Sequence, residues 1–131
     1  NSTKLHLHLL FLKIGMKKIY HLSSCSTNQK ILKEVNAVKK QSILQDIKSE
    51  PITASQIDEM KKLAGSYEAL FSRKAIKYRS MGLAEKVLTE KDYRKLILEE
   101  YTFLKRPVAI VGQEIFIGNT KAVVEALKEA L

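Results

Sequence analysis

The chain has one cysteine, Cys25, no tryptophan, and no apolar run long enough to span a membrane. A single thiol excludes an internal disulfide and fits a reducing compartment, so a cytoplasmic location is expected. The longest apolar run, around Leu10-Phe11-Leu12, falls well short of the roughly 20 residues a transmembrane helix needs. It loosely resembles a signal-peptide core, yet no small-residue cleavage site follows it. Aromatic residues are 7% of the chain and are not interleaved with the basic ones, which argues against a stacking platform for single-stranded nucleic acid. No membrane and no direct nucleic-acid partner is therefore expected.

What remains is a 131-residue chain, 45% hydrophobic and 28% charged, of a size for one domain with a real core. Its net charge is +9. Residues 1–15 contain Lys4 and Lys13 and no acid, so residues 16–131 carry 21 basic and 14 acidic residues, or +7. Such a surplus suits an anionic ligand or partner without choosing among an oxyanion, nucleic acid and an acidic protein surface. Residues 1–15 also differ in pattern: Leu5, Leu7 and Leu9 alternate with His6 and His8, and Met16-Lys17-Lys18-Ile19 reads like a native start. We read residues 1–15 as an N-terminal extension and residues 16–131 as a single domain. Two histidines in an extension do not make a metal site, and no metal is expected.

The stretch that organises the rest is Ile19-Tyr20-His21-Leu22-Ser23-Ser24-Cys25-Ser26-Thr27-Asn28-Gln29-Lys30-Ile31-Leu32. It reads as a short strand, a turn and the start of a helix, with Ser24 or Ser26 expected as the cap and Ile31, Leu32 and Val35 at helical spacing. A thiol at a helix N-terminus faces unpaired N–H groups and the positive end of the helix dipole, which favours the thiolate. The same N–H groups are a seat for an oxyanion. Free cysteine is more often a small buried hydrophobe, so this spacing alone leaves both readings open.

The order of elements follows from periodicity. Lys17 to Leu22 is a strand, Asn28 to Val38 a helix, Lys39-Lys40-Gln41 a turn, and Ser42 to Ile47 a second strand, which together make a βαβ unit. Thr53-Ala54-Ser55-Gln56 is a capping box opening a helix to Gly65. Tyr67 to Phe71 and Arg73 to Met81 are helix-like, and Thr89 opens another helix with Tyr93, Leu96, Ile97 and Tyr101 on one face. Residues 53–104 thus form an all-helical insert. Val108 to Val111 and Glu114 to Ile117 are antiparallel strands joined at Gly112-Gln113, and Thr120 caps a last helix, Lys121 to Ala130, with Val123, Val124 and Leu127 inward. The fold class is α/β: a mixed sheet flanked by helices.

This order, with cysteine after the first strand and proline before the third, resembles the thioredoxin fold. More narrowly, it resembles the glutaredoxin-coupled arsenate reductase family. Three stretches carry the likeness: Ile19-Tyr20-His21 with Cys25-Ser26-Thr27; Tyr78-Arg79-Ser80-Met81-Gly82-Leu83-Ala84-Glu85; and Leu104-Lys105-Arg106-Pro107-Val108. The resemblance implies that Cys25 attacks arsenate or a similar small oxyanion. It also implies that Arg106 helps hold the anion, before a cis proline at Pro107. Ser26 and Thr27 would complete the loop. A family arginine in the insert falls nearest Ser72, one residue from Arg73. Two others fall at Gln29 and Asn119, where this chain has none. With no second thiol, the resemblance implies no bound cofactor and an external reductant, glutathione with glutaredoxin. His21 lies on the strand before the loop, within reach of a helping role. Two rivals share the fold: an Spx-type regulator that binds RNA polymerase, and a glutathione-dependent thiol transferase. The CXXC switch of many Spx-type proteins is absent, since the chain reads Cys25-Ser26-Thr27-Asn28.

Overall fold

A computed structural model describes residues 15–131. Residues 1–14, which make up nearly all of the expected extension and include His6 and His8, lie outside the described residues. In chain order the elements are β1 (Lys17–His21), α1 (Ser26–Glu34), β2 (Ile43–Asp46), α2 (Ala54–Ala64), α3 (Ile76–Ser80), α4 (Glu90–Glu99), β3 (Val108–Val111), β4 (Glu114–Ile117) and α5 (Lys121–Ala130). Single 3-10 turns occupy Glu68–Leu70, Leu83–Glu85 and Tyr101–Phe103. The chain divides into two compact units, one built from the residues up to Asp46 and from Arg106 onward, the other from Ile47–Lys105.

The first unit holds the sheet, in the order β2-β1-β3-β4. Strands β1 and β2 are parallel, while β1/β3 and β3/β4 are antiparallel. The parallel pair needs a crossover, and α1 supplies it. Strand alternation puts Ile19 of β1 and Ala109 of β3 on one face. There they pack with Ile31, Leu32 and Val35 from the α1 side and Val124 and Leu127 of α5. Each such aliphatic side chain contributes about 1.5–3 kcal/mol when taken from water. The other face of the sheet carries Tyr20, Val108 and Ile110, also buried. The β3–β4 connection is the expected two-residue hairpin. Gly112 has φ 61° and Gln113 does not have positive φ, which fits a type II′ turn.

Helix α1 differs from its expected limits at both ends. It begins at Ser26 because Cys25 itself is the N-cap residue, in extended backbone, and no side chain caps it. Neither Ser24 nor Ser26 plays the expected capping role. The helix ends at Glu34 rather than Val38, because Asn36 takes φ 57° and the Ala37 N–H turns back to the Leu32 carbonyl at 3.0 Å. Asparagine tolerates this left-handed conformation better than most residues, which makes it a natural stop. Val38, helical in spacing, is left 77% exposed.

In the second unit, the capping box expected at Thr53 forms, and the helix start expected at Thr89 proves to be a second one. Thr53 accepts from Gln56 N–H and Thr89 from Asp92 N–H, with both reciprocal bonds present. Helix α2 stops at Gly65, whose φ of 94° only glycine adopts without strain. Its centre is Phe71, fully buried. Phe71 is stacked on Phe103 at 5.1 Å, tilted against Tyr93 at 4.8 Å and edge-on to Tyr78 at 6.0 Å between ring centroids. The segment read as a helix from Arg73 to Met81 is helical only over Ile76–Ser80, and Tyr67 to Phe71 is a single 3-10 turn. On α4 the buried side chains are Tyr93 and Ile97; Leu96 is half-buried, and Tyr101 falls in the following 3-10 turn.

Candidate active site

The end of the sheet where β1 stops is built by pairing. The parallel register sets His21 beside Asp46, at the end of β2. The antiparallel register of β1 with β3 pairs Tyr20 with Val108. Arg106 and Pro107 lead directly into β3 at the end of the sheet where β1 runs into the Cys25 turn. The register of β3 with β4 pairs Val108 with Ile117, and the Gly118 N–H reaches the Pro107 carbonyl at 2.9 Å. The Arg106–Pro107 peptide is cis, as the resemblance implied. Cys25, Ser26, Thr27, Arg106 and Pro107 therefore all belong to the first unit and cluster at one end of its sheet.

The turn that presents Cys25 is held by side chains from α1. Asn28, only 1% exposed, accepts from the Leu22 N–H at 3.0 Å and donates through Nδ2 to Cys25 Sγ at 3.4 Å. Gln29 Nε2 donates to the Leu22 carbonyl at 3.1 Å and faces His21 Nδ1 at 3.4 Å. The same Leu22 carbonyl accepts the Cys25 N–H at 3.1 Å. Asp46 grips the turn from the neighbouring strand, accepting the Ser23 hydroxyl at 2.6 Å and the Ser23 N–H at 3.2 Å. Cys25 is half-buried, while Ser26 and Thr27 are exposed in the first turn of α1, where backbone N–H groups have no intrahelical partner.

Asn28, Asp46 and the structural role of Gln29 were not read from the sequence. Asn28 had a local signal, since a polar side chain in the first helical turn can reach back to the turn before it. Asp46 had none, because its partner is 23 residues away. Gln29 stands where the family resemblance calls for an arginine, and it spends its amide on the loop instead. His21 is 8% exposed; burial lowers its pKa below the usual 6.5, against an opposing pull from Asp46, so the ring is neutral at pH 7. With Gln29 Nε2 as donor, Nδ1 is the assigned acceptor and Nε2 carries the proton.

Arg73 belongs to the second unit, where it has partners of its own. Its guanidinium donates to Glu68 Oε2 at 3.2 Å and to the Tyr93 hydroxyl at 2.9 Å, and that hydroxyl donates to the same Glu68 oxygen at 2.9 Å. Glu68 thus offsets the charge that an oxyanion would use. Among the described residues no cluster of His, Cys, Asp and Glu is arranged to hold a metal ion. No helix among them is long and apolar enough to cross a membrane.

A mixed thioredoxin-like sheet with a lone thiol at the first helix N-terminus and a cis proline opening the third strand defines a class of thiol proteins. The chain belongs to the ArsC family, whose model matches residues 20–127. Solved structures agree in fold. An arsenate reductase from Vibrio cholerae superposes with a TM-score of 0.72 at 15% identity, over 88% of this chain and 98% of that one. An arsenate reductase (ArsC) related protein from Brucella melitensis gives 0.66 at 23% identity, over 85% and 92% of the two chains. A protein from Staphylococcus aureus COL gives 0.69 at 24% identity, over 85% and 97%. No curated protein matches the sequence.

Proposed function

We propose that the protein is an arsenate reductase-like thiol oxidoreductase in which Cys25 is the nucleophile. What supports this reading is that a cis Arg106–Pro107 peptide leads into β3, whose Val108 pairs with Tyr20 shortly before the Cys25 turn, in a chain of the ArsC family. The Cys25 thiolate attacks the arsenic of arsenate, an S–As bond forms, and a protonated oxygen leaves as water. First-turn amides of α1 and the Arg106 guanidinium offset the anion's charge as that bond forms. Asn28 aims the sulfur. External thiols finish the reaction: two of them give the electron pair that takes arsenic from the pentavalent to the trivalent state, and they leave as a disulfide. Glutathione with glutaredoxin fits that role, because this chain has no second thiol of its own.

Gln29 and Asn119 favour a second reading, in which the same fold serves as an Spx-like module binding RNA polymerase or as a glutathione-dependent thiol transferase. Arsenate reduction with glutathione and glutaredoxin, compared between the parent and Cys25→Ser, separates the three. Activity lost in the variant supports the reductase. Calorimetry with sulfate or arsenate tests the anion seat. Arg106→Ala should weaken binding by about one to two decades, the worth of one charge-assisted contact. Asn119→Arg, which restores the arginine the family resemblance calls for, should strengthen it. No effect of either variant rules out the seat.

A further inference from the structure

We propose that a groove on the insert docks an acidic peptide segment of a partner protein, one that carries an aliphatic side chain between its carboxylates. The groove is independent of the reaction proposed above and lies wholly within the second unit. Its volume is about 860 Å³, and its lining includes Arg73, Lys74, Ile76, Tyr78, Arg79 and Ser80, with no carboxylate. The cations of this region fall into two groups. Arg73 is offset by Glu68 and Lys77 by Glu100. Among the described residues, neither Lys74 nor Arg79 has an ion-pair partner. Between them in sequence, Ile76 stands 87% exposed.

A lone exposed isoleucine needs no explanation, but one set between two unmatched cations in a concave surface is a chemical pattern. Carboxylates would pair with Lys74 and Arg79, and an aliphatic side chain would cover Ile76. The pattern suits peptide better than nucleic acid. Phosphate chains gain nothing from an exposed isoleucine, and a single-stranded site would offer successive aromatic faces, whereas Tyr78 is the one aromatic in the lining and its ring packs edge-on to Phe71. Charge complementarity of this kind sets partner choice and association rate, and salt weakens it.

The test is selection of a random peptide library on the full chain, followed by fluorescence anisotropy of the enriched peptides. The expected peptides are rich in Asp and Glu around a Leu, Ile or Val. Their affinity should fall at least about tenfold in a Lys74→Glu, Arg79→Glu double variant, and also in Ile76→Asp. These side chains are peripheral to the Phe71 core, and circular dichroism checks that the variants fold. In the parent chain, amide NMR shifts on adding the tightest peptide should map to Arg73–Ala84. The proposal is overturned if no peptide is enriched, if the enriched peptides lack acidic residues, or if binding survives the double variant. It is also overturned if a single-stranded oligonucleotide binds the same residues more tightly than any acidic peptide.

Discussion

Replacing Asn28 with alanine should unsettle the Cys25 turn more than any other single change in the first turns of α1. The side chain is buried and makes two bonds: its oxygen takes the Leu22 N–H and its amide reaches Cys25 Sγ. Alanine leaves the Leu22 donor in a buried place without its acceptor, which costs about 1–3 kcal/mol. Gln29→Ala is the control. It also removes a bond to Leu22, but to the carbonyl, which keeps the Cys25 N–H as a donor. The other bond lost is the long one to His21 Nδ1 at 3.4 Å, and no backbone N–H is orphaned, so the loss should stay near the net worth of a hydrogen bond, about 0.5–1.5 kcal/mol. Urea unfolding of the three proteins gives the ordering directly, with equal slopes showing that the change is in stability. Equal midpoints for the two variants, or a larger loss at Gln29, would refute the argument that the orphaned N–H sets the cost.

Three further outcomes are expected. Burial holds the His21 pKa down, so its neutral form stabilises the fold fully above about pH 6.5, and that contribution is lost as pH falls through the folded-state value. The stability difference between parent and His21→Asn should therefore shrink between pH 7.5 and 5, and a difference independent of pH contradicts it. Hydrogen bonds from Arg94 and Tyr67 hold the Asp58 carboxyl down to about 2 from 3.8, so stability present above that upper value is lost as pH falls toward the lower one. Asp58→Asn should flatten the acid limb of a pH–stability curve over that interval. Phe71→Ala, which empties the aromatic centre of the insert, should cost about 3–5 kcal/mol in chemical unfolding, and a loss below about 1 kcal/mol would mean that the ring is not the keystone of that unit.

What could be read from residues alone depended on how far away each partner lies. The caps at Thr53–Gln56 and Thr89–Asp92 fix helix starts because donor and acceptor are three residues apart, and the short apolar run at Ile19-Tyr20 before the turn marks its strand. Val38 misled because its spacing continues the helix, whereas the left-handed turn at Asn36 is a backbone event that side-chain periodicity does not register. The cap of α1 misled for a related reason: serine is a favoured cap, but the residue whose carbonyl takes the Gln29 N–H is Cys25. The site needed the sheet. Ser23 meets Asp46 only because β1 and β2 are parallel and in register.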